Sequence, residues 1–471
     1  MPGRPRNPRR ERMSGVDAAW WHMSQPHNPM IIVGLLQLQR APTLDALREI
    51  VSQRLLAHRR FRQRPAHGTD GDHWERDPRF RLERHVIRHR LSDNQSLQNW
   101  IAALCVKALP STHPLWQLVL VEGGESAALV VRIHHCMADG SALIRLLLTL
   151  TEPESAGAAP AAPAATLDDD APTSLLGDLR RLLADAEAVI APKPAAAPNP
   201  VIAPEDAQAL AAHLARIVVA LGAEVIRLAE MPDETPTPLK QPPGAGKAVA
   251  WCEALPQREV KRVAQAFGCS VNAVLISCVA AALGAHLQAQ GHETRKAEIR
   301  VLIPTPLRGT RRAASLHGNH FGLVNMLLPL GVTNPVARAW EVHRRLEALT
   351  GTRQALLMHL LLGIVGLLPP DIRTRALDLL SGKATAVLTM VPGPPAARTL
   401  AGARIDDMMF WVPQAGDIGL GLSILSYDGR MRVGLMSDAT TLPQPAVAMR
   451  QVQAEFERLV PLAEMLAAQS R

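Results

Sequence analysis

Apolar positions in TLDALREIVSQRLLAHRRF, residues 43 to 61, recur every three and four residues, with Asp45 near the start, and predict an amphipathic helix. SLQNWIAALCVKALP repeats that spacing until Pro110. The pattern then changes to two apolar runs, WQLVLVEG and SAALVVRIHH, separated by EGGE, which predict a β-hairpin. SALIRLLLTL predicts a helix directly behind it. From residue 245 the alternation resumes. VAWCEAL reads as a strand, and PQREVKRVAQAFG as a helix opened by proline and closed by glycine. SVNAVLISCVAAALGAHLQ reads as a long apolar helix capped by Ser270. IRVLIPTPLR, GLVNMLLPL, TAVLTMVPG, GLGLSILSY and MRVGLMSD predict five further strands.

Between these halves the pattern dissolves. TEPESAGAAPAAPAATLDDDAP and APKPAAAPNPVIAP are rich in Ala and Pro and cannot bury enough side chain to hold one conformation. Residues 151–244 therefore predict a crossover with helices between two domains, 13–150 and 245–471. A chain of 471 residues exceeds one ordinary core, in keeping with two domains. Residues 1–12, basic and without an apolar stretch after them, predict a disordered tail and not a secretory signal. The expected fold class is α/β, with two unlike halves enclosing a large cleft.

Composition refines this picture. Hydrophobic residues at 47% and charged residues at 20% are globular proportions, and aromatics at 3% leave the core to aliphatic side chains. A formal charge of +8 suits phosphates or acidic lipid surfaces. Without interleaved aromatics it does not suggest a nucleic-acid partner. Cys105, Cys136, Cys252, Cys269 and Cys278 are scattered and form no C-x-x-C pair, which suits a reducing compartment. The longest apolar run, ALLMHLLLGIVGLLPP at 355 to 370, is short for a membrane span. It predicts a buried helix or helical hairpin, with membrane contact or the lining of a lipid tunnel as alternatives.

The chemistry concentrates at IHHCMADGSA, 133 to 142, where a strand gives way to a helix. Adjacent side chains on a strand face opposite ways, so His134 and His135 are poorly placed to share a metal. A structural turn and a catalytic base remain. A neutral imidazole at a rigid strand end can take a proton from a substrate hydroxyl. Asp139 would brace the turn, through backbone or a distant arginine, and Gly140 would let the chain turn tightly. Cys136 is a rival nucleophile on position alone, although cysteine commonly serves as a small hydrophobe. No G-x-S-x-G elbow is present.

HHCMADG resembles the HHxxxDG motif of the wax ester synthase/diacylglycerol acyltransferases, within the wider CoA-dependent acyltransferase superfamily. MSGVDAAWWHMSQPHNPMIIVGLLQL, FRQRPAHGTDGDHWERDPRFRLERHV, HPLWQ, SVNAVLISCVAAAL, IPTPLR, GNHFGL and VPGPPAARTLAGARI resemble other blocks of that family. The resemblance covers nearly all of the chain after residue 13 except the crossover. It implies two chloramphenicol-acetyltransferase-like domains around a central cleft or tunnel. It also implies transfer of a fatty acyl group from acyl-CoA, a substrate and not a cofactor, to a long-chain alcohol or a diacylglycerol.

On that resemblance His135 is the base, with His134, Asp139, Gly140, Asn272 and Arg308 in supporting roles. Trp116 is a candidate for the substrate site, as are Gly318, Asn319 and Gly322 of HGNHFGL, where a tight hairpin turn is an equal reading, and no metal is expected there. Four positions depart from the family pattern: Gln117 and Ala273 replace carboxylates, and Met390 and Lys240 replace asparagines. A smaller acceptor, or a non-catalytic lipid-binding relative, are the competing readings. The implied location is cytoplasmic, with peripheral contact to the inner face of the membrane or to lipid inclusions.

Overall fold

The computed structural model describes residues 10–69, 71–123, 126–154, 219–307, 318–349 and 354–469. Arg308 and most of the expected crossover lie outside them, as do residues 1–9.

Two seven-stranded sheets carry the fold. In the first, the predicted hairpin is Trp116–Gly123 paired antiparallel to Ser126–His134. Ser126–His134 is also paired with Ile31–Leu38, placing the motif strand inside the sheet. That position explains its apolar run AALVV, since a strand covered on both faces has no polar side to alternate. Beyond Ile31–Leu38 lies Ala403–Trp411, aligned from Trp411 opposite Val33 to Met408 opposite Leu36. Sequence analysis did not assign this strand. It comes from beyond residue 245, so sheet pairing crosses the expected boundary between the halves.

The second sheet runs Leu255–Pro256, Arg430–Asp438, Leu420–Tyr427, Ala386–Pro392, Glu298–Pro306 and Phe321–Pro329, with Lys247–Trp251 also paired to Arg430–Asp438. The five strands predicted after residue 290 are all in it. Helices Gln257–Phe267, Val271–Ala289 and Pro445–Gln469 pack together beside it. Ser270 caps the long apolar helix, accepting from the Ala273 amide at 3.2 Å. Val271–Ala289 is the one helix among the described residues long and apolar enough to cross a membrane, and 67% of its window is buried within the protein.

The run at 355 to 370 forms helix Gln354–Gly366, and most of it is buried. It is therefore not a surface available for membrane contact. It crosses the first helix, Gly15–His22, so closely that a Cβ on Gly366 would stand 1.8 Å from the Gly15 carbonyl oxygen. Only glycine permits that approach, and it fixes the height of the first helix against its neighbour. Arg10–Arg12, expected within the tail, is instead a strand paired to His73–Arg76 in a small sheet with Gln63–Ala66.

Candidate active site

The strand Ser126–His134 ends at the histidine pair, and helix Gly140–Leu150 begins six residues later. Asp139 caps that helix, its Oδ1 accepting from the Ala142 amide at 2.8 Å. Its Oδ2 accepts from the backbone amide of His320 at 3.1 Å. The carboxylate thus braces the turn locally and ties it to a segment 181 residues away. Gly140 has no positive φ. Its role is not the tight turn expected from sequence. A Cβ there would stand 3.4 Å from Val391 Cγ2, pointing toward the strand Ala386–Pro392.

The two histidines diverge as strand geometry requires. His134 is buried, accepts at Nδ1 from the Cys136 amide at 3.2 Å, and presents Nε2 to Ser24 Oγ at 2.9 Å. Burial, and then the neighbouring His135, push its pKa down to about 3. His135 lies on the other side, where it lines a cavity. Its Nδ1 lies 3.0 Å from Asn319 Oδ1. The Asn319 amide nitrogen donates to Asp17 Oδ1 and to the His135 carbonyl, both at 2.8 Å. With Nδ2 donating twice, Oδ1 must accept. His135 therefore carries its proton on Nδ1 and keeps a lone pair on Nε2.

The surroundings hold that ring neutral. Trp20 stacks on it with centroids 4.1 Å apart and planes 17° apart, and Phe321 lies 5.7 Å away. Burial pushes the His135 pKa down to about 4, offset in part by Asp139 and Asn319. Burial also raises the pKa of Asp17. The Cys136 thiol is pushed well above its ordinary range by burial and then by Asp17, so it is not a thiolate nucleophile.

The cavity encloses about 1240 Å³ of atom-free space, including that open to solvent at its mouth. Trp20 of the first helix and Met23 just after it line the cavity, as do Leu302 and Pro304, Met358 and Leu362, Val387, and Thr389 to Pro392. Strands of the second sheet thus form one wall, the first sheet reaches the cavity only through His135 and Val412 just past the ends of its strands, and the walls are mostly apolar. Lys383 is also in the lining. Thr389 lines it too, and its buried hydroxyl has no hydrogen-bond partner.

The other sequence-predicted residues have different places in the fold. Gly318 and Asn319 bond to the histidine turn, although neither lines the cavity. Gly318 adopts φ +84°, where glycine is favoured, and its amide donates to the Met137 carbonyl at 2.8 Å. Gly322 is a strand residue and not part of a turn. A Cβ there would stand 1.6 Å from the Ala355 carbonyl oxygen, so it serves close packing of helix on strand. Trp116 is core, buried, donating to the Phe61 carbonyl at 2.9 Å and stacked on His85, and it does not line the cavity. Asn272 is half-buried near the start of its helix and does not line it either. Arg308 lies outside the described residues.

The departures from the family pattern have local explanations at three positions. Gln117 Oε1 accepts from the buried Arg132 at 3.0 Å, keeping an oxygen where a carboxylate was expected. Ala273 is fully buried in an apolar cluster. Lys240 pairs with Glu234 at 2.7 Å. Met390, by contrast, lines the cavity. Asp17, Trp20 and Thr389 were missed as site residues. No local motif marks any of them, and nothing in one sequence distinguishes a buried aspartate from a surface one.

Comparison with known proteins places this geometry. Residues 13–275 match the wax ester synthase/diacylglycerol acyltransferase catalytic domain, and residues 317–460 match the C-terminal domain of the same family. The chain belongs to that family. It is an acyl-CoA-dependent O-acyltransferase acting on lipid acceptors. A Mycobacterium tuberculosis protein named "Probable diacyglycerol O-acyltransferase tgs1" is 26% identical over 436 residues, 90% of this chain and 89% of that one. Among solved structures, the wax ester synthase/diacylglycerol acyltransferase of Marinobacter aquaeolei VT8 superposes with TM-score 0.65 at 17% identity, covering 96% of this chain and 100% of that one. The starter condensation domain of rhizomide synthetase gives TM-score 0.55 at 14% identity over 98% and 94%. These likenesses describe a shared mixed α/β fold.

Proposed function

We propose that the protein joins a long-chain fatty acyl group from acyl-CoA to a long-chain alcohol or a diacylglycerol, with His135 as the general base. The observation that carries this reading is the bond from His135 Nδ1–H to Asn319 Oδ1, which leaves Nε2 as the proton acceptor on a side chain that lines the cavity. The acceptor hydroxyl gives its proton to Nε2 as its oxygen attacks the thioester carbonyl. Collapse of the tetrahedral adduct breaks the C–S bond, and the imidazolium returns the proton to the CoA sulfur. The Thr389 hydroxyl, buried and without a partner, is the donor we assign to the developing oxyanion. His134 and Asp139 act through the turn, and Asn319 and Asp17 through the tautomer and direction of His135.

In this reading the two seven-stranded sheets are the cores of two chloramphenicol-acetyltransferase-like halves, and the cavity is the cleft between them. Aliphatic walls suit two partners with long hydrocarbon chains. Peripheral contact with a lipid surface follows from the solubility of such acceptors. Exposed Ile372 and Leu379 on helix Pro370–Ser381, which also supplies Leu380 to the cavity, support that contact in place of the buried 355–370 run.

The test is a matrix assay of purified protein. Palmitoyl-CoA is offered with hexadecanol, a diacylglycerol and a short alcohol, and both ester and free thiol are followed. Stoichiometric ester and thiol with a long-chain acceptor is the expected result. Ester formed only with the short alcohol would replace the lipid-acceptor reading with a smaller acceptor. Lipid binding without thiol release would make the protein a non-catalytic relative.

A further inference from the structure

A second cluster of chemistry-bearing side chains sits at the far end of the first helix. His22 is the last residue of Gly15–His22, and His67 and Asp72 flank the turn that joins Gln63–Ala66 to His73–Arg76. The turn is closed by reciprocal backbone bonds between Gly68 and Gly71, at 3.1 and 3.2 Å. The Asp72 carbonyl accepts from the Met13 amide at 2.9 Å, which anchors the residue. His22 Nε2 lies 2.6 Å from Asp72 Oδ2, and His67 Nδ1 lies 2.8 Å from Asp72 Oδ1. Trp21 stacks on His67 with centroids 4.4 Å apart, holding that otherwise exposed ring over the carboxylate. One ligand atom from each of the three residues lies within 4.8 Å of the others.

We propose that His22, His67 and Asp72 form a binding site for a divalent transition-metal ion, zinc by ligand type. Two imidazoles and one carboxylate suit Zn²⁺, whereas Mg²⁺ and Ca²⁺ prefer all-oxygen sets. Tetrahedral zinc with bonds of about 2.0–2.2 Å needs ligand atoms roughly 3.3 Å apart. Rotation of the His67 side chain, 71% exposed, can supply the closure. The ion takes the place of the protons the imidazoles now share with Asp72, and water completes the fourth position. Among the described residues Arg373 opposes it, its guanidinium 4.0 Å from Asp72 Oδ2, and the Arg12 guanidinium lies close to Gly71.

The position gives the site a consequence. The same short helix carries Asp17, bonded to Asn319, and Trp20, stacked on His135. An ion on His22 would tie the helix's C-terminal end to the Gln63–Arg76 hairpin and restrain the wall on which His135 rests.

The experiment is titration of the tag-free full-length protein with Zn²⁺ by calorimetry, and with Co²⁺ by visible absorption. Mg²⁺ and Ca²⁺ serve as controls. The expected result is one equivalent bound, a tetrahedral Co²⁺ band, and a melting temperature that rises with Zn²⁺ as binding to the folded state requires. His67→Gln, at an exposed position that leaves the fold intact, should lose the band and the shift. Arg373→Gln should bind more tightly, on the order of fivefold, because a nearby positive charge is gone. Absence of saturable binding would overturn the proposal. So would a stoichiometric site unaffected by His67→Gln, or an affinity unchanged by Arg373→Gln, since either would place the ion elsewhere.

Discussion

Asn319 Oδ1 lies 3.0 Å from His135 Nδ1, across 184 residues of chain. Its amide nitrogen is held at 2.8 Å by Asp17, itself 302 residues from Asn319. Two residues distant along the chain thus settle which nitrogen of the His135 imidazole can accept a proton.

Replacement of that imidazole tests the base. His135→Ala should remove ester formation by about 10²- to 10⁴-fold, the usual contribution of a positioned general base. Cooperative thermal unfolding should persist. Steady-state turnover at saturating palmitoyl-CoA and hexadecanol measures the loss. A folded variant with near-wild-type turnover would sink the assignment.

Asn319→Leu should lower kcat by roughly 10²-fold, because His135 loses its fixed tautomer and direction. KM for acyl-CoA should change little, since Asn319 acts through His135. The variant also leaves Asp17 without one of its partners, so stability should fall by about 1–3 kcal/mol. Denaturant midpoints and kinetics on the same preparation separate the two effects. Unchanged kcat in a stable Asn319→Leu protein would contradict the positioning role.

Acidification should destabilise the fold through the histidine pair. The His135 pKa of about 4 lies below the ordinary 6.5. Between those values the unfolded chain binds a proton that the folded chain refuses. Stability is therefore full above about pH 6.5 and falls as pH drops toward 4, by up to about 3 kcal/mol for His135. His134, lowered in the same direction, adds to the loss. Urea midpoints measured from pH 7 to 4.5 should decline, and His135→Gln should decline less steeply. Where the fold persists, the acid limb of kcat/KM should lie well below 6.5. A limb centred at 6.5 would mean that His135 is solvated in the working enzyme.

Cys136→Ala should keep turnover within a fewfold of wild type. The thiol is buried and its pKa is raised, and its backbone amide, not its sulfur, is what bonds His134. Loss of activity together with a trapped acyl-enzyme in the wild type would move the chemistry to Cys136.

Much of this was legible along the chain because it depends on local rules. Apolar spacing marked the helices, and Ser270 announced a cap that the structure forms. Apolar runs marked the strands, and HHCMADG at a strand end turned His134 and His135 to opposite faces. Trp116 was misjudged for the same reason: a tryptophan in a family motif looks alike in sequence whether it lines a site or fills a core.

What pattern could not supply was partnership at long range. Strand Ala403–Trp411 joins a sheet whose other long strands precede residue 135, and no periodicity says which edge a strand will meet. Asp17 and Asn319 are ordinary polar residues in sequence. They become a relay only because helix Gly15–His22 is seated glycine to glycine on Gln354–Gly366, and because the 318–320 turn bonds to Met137, His135 and Asp139. The sequence by itself determined most of the elements and pointed to His135, since both follow from neighbours along the chain. The tautomer, the burial that keeps the imidazole neutral, and the cavity beside it were decided by tertiary structure. Burial and long-range hydrogen bonds exist only when segments hundreds of residues apart are packed together.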